Sequence, residues 1–409
     1  MNENKPDIEP DFKTAADRGE PLSQMEPLLI AADSRHRAEL TDLAFELAQQ
    51  AAGFRHSLPA GIQPSLADLI RSMNCYYSNL IEGHYTHPID IEHALNNQYS
   101  NDPEKRDLQY EAAAHIHVQK WIDKGGLLGR TTAAEGLREI HRRFGELLPE
   151  ALLWTEDPET GERLKAIPGE LRRRDVRVGR HVPISPGAVP RFLARFENVY
   201  HPLAKLDRIL ASAAAHHRLL WIHPFLDGNG RVARLMSHAT LLEKLDTGGI
   251  WSVARGLARN AQTYKKLLAE CDQSRRNDLD GRGHLSEEAL ARFTRFFLET
   301  CLDQVKFMKG LVQPDRLGHR IQIWAEEEIR AGTLPPKAGK VLETVLYRGQ
   351  LNRGEVPDIL GVGARQARRV ISALMGQGVL TSKSSRAPLH LAFPARLAPR
   401  WMPGLFPEP

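Results

Sequence analysis

Apolar residues recur at helical spacing along most of the chain, and the pattern predicts one helix after another. Residues 40–52 carry the first such run, and a second spans 65–74, opened by Ser65 after Pro64 as an N-terminal cap. Runs over 108–122, 133–148 and 189–200 repeat the pattern. Residues 206–222 are apolar nearly all round (Ile209, Leu210, Leu219, Leu220, Trp221), as expected of a helix buried in the middle of a domain. Further helices are predicted over 231–245, 260–271 and 287–307. One segment, PGELRRRDVRVGRHVPISPG at 168–187, alternates around Val176 and Val178, turns near Gly179 and resumes at Val182 and Ile184, which predicts a β-hairpin. The fold class expected is mostly α, with that single hairpin.

The pattern changes beyond residue 311. A linking helix is predicted within 312–336, closed by Pro335-Pro336. Helices follow over 340–348 and 353–360, then a turn at Gly361-Val362-Gly363. The next helix, 364–375, has Ala367, Val370, Ile371 and Leu374 on one face. Short strand-like runs at 379–382 and 389–393 close the chain. Helix, helix, turn, helix and β-wing is the order of a winged helix-turn-helix. Residues 1–37, rich in Pro, Asp and Glu, are expected to be a mobile segment. The boundaries expected are therefore 1–37, a helical region at 38–130, a core at 131–311, a linker at 312–336 and a small domain at 337–409.

Composition changes this picture in two places. The 409 residues are 42% hydrophobic and 26% charged, as in soluble globular chains, and no run is long and apolar enough to span a bilayer. Three widely spaced cysteines, Cys75, Cys271 and Cys301, suit a reducing compartment, and cytoplasm is the expected location. The net charge of +4 is uneven. From residue 338 onward ten Lys and Arg face four acids, a net of about +6 against about −2 for the remainder. Arg365, Arg368 and Arg369 fall opposite the apolar face of the 364–375 helix, with Lys383 and Arg386 in the wing. That arrangement fits a helix in the major groove of DNA and a wing on its backbone; docking of protein is the other reading.

The chemistry concentrates in IHPFLDGNGRVAR, residues 222–234. His223 precedes a proline, which drives it off helical geometry, and an imidazole with a pKa near ~6.5 can accept a proton at neutral pH. Asp227 offers a hard oxygen of the kind Mg²⁺ takes alongside substrate phosphates. Gly228-Asn229-Gly230 opens a helix, where free backbone N–H groups and the helix dipole favour an anion. Arg231 and Arg234, three apart, present fork-shaped donors from one helix face. Together these parts make a polyphosphate site with a base beside it.

The stretch HPFLDGNGRVAR resembles the Fic-domain motif, H-x-F-x-[D/E]-G-N-G-R-x-x-R, at every fixed position, and the likeness extends over roughly 65–310. The resemblance implies an all-helical Fic fold whose hairpin is a flap that aligns a target segment. It implies transfer of AMP from ATP to a Ser, Thr or Tyr hydroxyl of a protein, self-modification included. His223 would be the base and Asp227 would hold Mg²⁺. Gly228, Asn229 (backbone and side chain) and Gly230 would form the anion hole; Arg231 would hold the diphosphate and Arg234 the γ-phosphate. Phe225 would anchor the loop, and Asn260 and Tyr264 would touch the adenine or close its pocket. Upstream, SNLIEG at 78–83 matches the family's inhibitory motif, with Ser78, Glu82 and Gly83 at its fixed positions; Glu82 would pair with Arg234 where the γ-phosphate belongs. Three alternatives stay open: a DNA-binding regulator that uses the core as a nucleotide sensor, transfer of another nucleotide, and removal of AMP from a target. A homodimer is equally left open.

Overall fold

The computed structural model describes residues 16–156, 161–245 and 247–407. Sixteen α-helices and two small antiparallel hairpins make up its regular structure. The helices are α1 (Arg37–His56), α2 (Gln63–Ile81), α3 (Pro88–Leu95), α4 (Pro103–Asp123), α5 (Ala134–Glu146), α6 (Val189–Tyr200), α7 (Lys205–Ile222) and α8 (Asn229–Leu245). There follow α9 (Val253–Arg259), α10 (Ala261–Glu270), α11 (Glu287–Leu311), α12 (Pro314–Arg330), α13 (Ala338–Arg348), α14 (Val356–Leu360), α15 (Ala364–Gly376) and α16 (Ala398–Trp401).

The central pair is α7 against α8, enclosed by α1, α4, α5, α6 and α11. The apolar pattern of α7 did mark a buried helix: from Arg208 to Leu219 every residue is buried. Its polar members are satisfied in different directions. His216 bonds Ser237 on α8 (2.8 Å) and the Tyr264 hydroxyl on α10 (2.7 Å), while the adjacent His217 meets Asp272 (3.0 Å). Adjacent residues on a helix point about 100° apart, so the pair cannot share a ligand.

Three sequence expectations are corrected. Residues 16–36, expected to be mobile, pack onto the core: Met25, Leu28 and Ile30 are buried, Arg218 donates to the Pro27 carbonyl (2.8 Å), and Glu20 accepts from Ser185 (2.7 Å). Residues 1–15 lie outside the described residues. The hairpin expected at 168–187 reduces to one bridge between Val178 and His181. The regular hairpin lies earlier, β1 (Trp154–Glu156) paired with β2 (Arg163–Lys165), too short to leave an alternating signature. The third correction concerns 312–336. Here α12 is amphipathic, burying Leu317, Ile321, Trp324 and Ala325 against α13, so it is part of the C-terminal module and not a spacer.

That module runs α13, α14, α15 and a hairpin of β3 (Leu380–Thr381) with β4 (His390–Leu391). Its end folds back on the main body. Trp401 packs on Trp324 (5.2 Å between centroids), Phe406 lies edge-on to Tyr76 of α2 (5.7 Å), and the Leu405 carbonyl accepts from the Tyr77 hydroxyl (3.1 Å). The Gly404 carbonyl accepts from Arg255 on α9 (2.7 Å). The chain terminus thus clasps the helix that leads to Glu82. No helix among the described residues is long and apolar enough to cross a membrane.

Burial of histidines makes stability depend on pH. Burial holds His115 and His216 down to about 3, and His141, His217 and His223 to about 4. Their folded values lie below the unfolded ~6.5, so the unfolded chain binds more protons between those limits. Stability should be full above pH 7 and should fall steadily from pH 6.5 towards 4, by up to about 1.4 kcal/mol per pH unit for each group. Thermal melting across pH 4–8 checks this: a flat profile would contradict the burial of these rings.

Candidate active site

The site lies where α7 stops and α8 starts. His223 ends α7 in a left-handed conformation (φ 50°, ψ 63°), its N–H still bonded to the Leu219 carbonyl. The proline after it does remove it from helical geometry, but the exit is left-handed, a strained choice for a residue with a side chain. Arg172 holds that exit in place. Its buried guanidinium donates to the carbonyls of His223 (2.7 Å), Ile184 (2.5 Å) and Arg174 (3.0 Å), and its backbone N–H to Pro224 (2.9 Å). Burial draws the Arg172 pKa down to about 10, still far above neutrality, so it stays a donor.

The His223 ring has its Nδ1 at 3.3 Å from the Leu220 carbonyl. A carbonyl only accepts, so that nitrogen carries the proton and Nε2 keeps a free lone pair. Burial lowers the ring to about 4, with the Leu220 carbonyl pulling up and the charge of Arg172 pushing down. At neutral pH it is an unprotonated base.

Phe225 is fully buried. The Asn229 side chain is committed to it: Asn229 accepts from the Phe225 N–H (3.0 Å) and donates to the Phe225 carbonyl (2.8 Å). It therefore closes the turn instead of facing an anion, and this corrects the expected role of that side chain. The backbone remains available. The first bond of α8 runs from Val232 to the Gly228 carbonyl, leaving the N–H groups of Asn229, Gly230 and Arg231 without intrahelical acceptors. Gly228 sits at φ +77°, which a residue with a side chain would adopt only under strain. Asp227 is exposed, and its carboxylate makes no hydrogen bond or ion pair among the described residues. No cluster of three or more His, Cys, Asp or Glu among those residues could cage a metal. A lone free carboxylate beside an anion site fits Mg²⁺, which keeps several waters and takes the rest of its ligands from phosphate.

Both arginines are already occupied. Arg234, 4% exposed, donates from Nε to the Ser78 hydroxyl (2.8 Å), reaches the Ser78 carbonyl (3.3 Å) and pairs with Glu82. Burial pushes the Glu82 carboxyl up, but Arg234, with Arg231 and Lys265 behind it, holds it below the usual range, so it is ionised. A Cβ built on Gly230 would fall 2.3 Å from the Glu82 carboxylate, so the acid lies directly over the glycine turn. Gly83 (φ +90°) terminates α2 at that point, with His84 N–H returning to the Asn79 carbonyl. Arg231 donates to Glu111 of α4 (2.8 Å), which also meets His84 Nδ1 (2.8 Å).

The structure therefore brings His223, Asp227, Gly228, Asn229, Gly230, Arg231, Arg234, Ser78 and Glu82 into one place. Tyr264 is buried and bonded to His216, while Asn260 is exposed with its amide on the Gly256 carbonyl (3.0 Å). Arg365, Arg368, Arg369, Lys383 and Arg386 stand in a separate region, exposed on α15 and the β3–β4 turn. Sequence reasoning missed Glu111, Arg172 and His141 as parts of the site. Only Arg172 carried a signal, in the quoted PGELR.

Residues 132–241 match the Fic/DOC family. Over 220 residues the chain is 28% identical to "Protein adenylyltransferase Fic" of Drosophila persimilis, covering 52% of this chain and 40% of that one. The Drosophila virilis counterpart is 31% identical over 170 residues, 41% of this chain and 32% of the other. The chain thus matches well under half the length of these relatives. In three dimensions it is similar to a Fic family protein from Desulfovibrio desulfuricans G20, with a TM-score of 0.51, 15% identity, and coverage of 89% of this chain and 98% of the other. The turn from His223 to Arg234, helix α7 and all but the last four residues of α8 lie inside the stretch that matches the Fic/DOC family.

Proposed function

We propose that the chain is an autoinhibited protein adenylyltransferase that moves AMP from ATP to a hydroxyl side chain of a protein. One observation carries the reading: a neutral histidine with a free Nε2 stands beside a glycine turn whose helix presents two arginines. In the reaction, His223 Nε2 takes the proton of the target hydroxyl as its oxygen attacks the α-phosphorus. The bond from the α-phosphorus to the bridging oxygen breaks, and pyrophosphate leaves. The N–H groups of Asn229, Gly230 and Arg231 hold phosphate oxygens, and charge on the departing diphosphate is met by Arg231. Asp227 would hold Mg²⁺, which neutralises phosphate charge when bound. The Fic relatives carry the name of this activity, and the matched region holds the residues that would perform it.

Glu82 supplies the restraint. ATP adds a γ-phosphate that needs Arg234, yet Arg234 is held by Glu82, whose carboxylate lies over Gly230. Two anions cannot share that volume, so ATP would bind with its triphosphate displaced. Incubation of the full chain with α-labelled ATP and Mg²⁺ tests both points. Label on protein should rise at least about tenfold in Glu82→Gly over the unsubstituted chain and vanish when His223→Ala is added. Equal labelling with and without His223 would refute the base, and no gain in Glu82→Gly would refute the brake.

A second role is proposed for the C-terminal module as a winged helix that binds DNA. Arg365, Arg368, Arg369, Lys383 and Arg386 are exposed and make no side-chain hydrogen bond or ion pair among the described residues, leaving their charge for phosphates. Binding to duplex DNA should weaken with a log–log salt slope of about −3 to −5, flattened by Arg365→Ala with Arg368→Ala and Arg369→Ala. Absence of binding at 50 mM salt would overturn this role.

A further inference from the structure

The glycine turn is supported from behind by a side chain with no part in the proposed chemistry. His141 of α5 lies face to face with Phe225, the ring centroids 4.1 Å apart and the planes within 2°. Its Nδ1 accepts the backbone N–H of Gly169 at 2.8 Å, in the segment between β2 and α6. A ring nitrogen that accepts a hydrogen bond cannot hold the proton, so Nε2 is the donor. The Nε2 side of the ring faces the turn: a Cβ on Gly228 would fall 3.5 Å from Cδ2 and 3.8 Å from Nε2. Burial lowers the ring to about 4, and the Asp227 backbone beside it pulls the other way.

We propose that His141 is a positioning residue for the Asp227 carboxylate, its ring stacked on Phe225, bonded to the Gly169 backbone and packed against the Asp227–Gly228 turn. The consequence falls on Asp227. Its carboxylate is exposed and has no side-chain partner among the described residues, so its direction is set by its backbone alone. Fixing that backbone aims the carboxylate at the place where Mg²⁺ would sit. A ligand aimed by the groups behind it loses about tenfold to a hundredfold in metal affinity when that support is removed. The inference rests on reading the turn as a Mg²⁺–nucleotide site, and on that reading His141 governs the metal more than the nucleotide.

The test is calorimetric titration of the full chain with ADP, with and without Mg²⁺, in a Glu82→Gly background. His141→Phe keeps the stacking ring and removes its nitrogens, among them the acceptor for the Gly169 N–H. Mg²⁺ should tighten ADP binding at least about tenfold in the background protein, and adding His141→Phe should cut that gain to about threefold or less. Metal-free ADP affinity should stay within about threefold, a split that general loosening of the core would not produce. If His141→Phe fails to fold by near-ultraviolet circular dichroism, His141→Gln, which can still accept from Gly169 but cannot stack, is measured instead with the same expectation. Full retention of the Mg²⁺ effect in the folded variant would overturn the role of His141 alone. Absence of any Mg²⁺-dependent ADP binding in the background protein would overturn the nucleotide reading and this inference together.

Discussion

A guanidinium buried at Arg234 requires an anion, and most of the site follows from that requirement. Arginine cannot shed its proton in a protein, and removing one partner of a buried ion pair costs ~3–5 kcal/mol because the other charge is left uncompensated. The chain meets the demand with Ser78 and Glu82 from α2. Arg231 faces the same problem and is met by Glu111 from α4. On the proposed function, the resting site is a phosphate site filled by its own carboxylates. What a nucleotide must do is exchange one anion for another, with little net change in the burial of either arginine.

The frame around this exchange is rigid where it must be. Arg172 caps the carbonyls at the strained end of α7, and Asn229 closes the turn through two bonds to Phe225. The helix that brings the competing acid is tied elsewhere. Its residues Tyr76 and Tyr77 meet Phe406 and Leu405, so the end of the C-terminal module grips the element that carries Glu82. Arg255 joins the same grip through Gly404 while its guanidinium lies 3.7 Å from the Phe307 ring centroid. The basic face on α15 and Glu82 at the end of α2 therefore belong to one connected body.

Much of this was legible in the residues because the chemistry is local. His223, Asp227, Gly228, Gly230, Arg231 and Arg234 occupy a single turn and the first coils of one helix, so spacing alone puts them together. Glu82 was reachable only through resemblance, since 152 positions separate it from Arg234. Glu111 and His141 lie on ordinary amphipathic helices, where an acid or a histidine is usually a solvated or packed residue, and nothing in spacing distinguishes them. Asn229 misled because its amide could serve an anion or a turn, and the fold chose the turn. The hairpin was misplaced because alternation over a few residues marks an extended segment without fixing a partner. The clasp at 402–407 is too short for any periodic signal.

The central claim is that Glu82 and the γ-phosphate compete for Arg234. Comparing ATP and ADP affinities in the unsubstituted chain and in Glu82→Gln, by titration with Mg²⁺ present, tests it most directly. The amide keeps the shape of the acid and removes its charge. The account predicts that ATP and ADP bind the unsubstituted chain with affinities within about threefold, and that Glu82→Gln tightens ATP by roughly tenfold or more while ADP changes little. An equal gain for both nucleotides, or none for either, would contradict it.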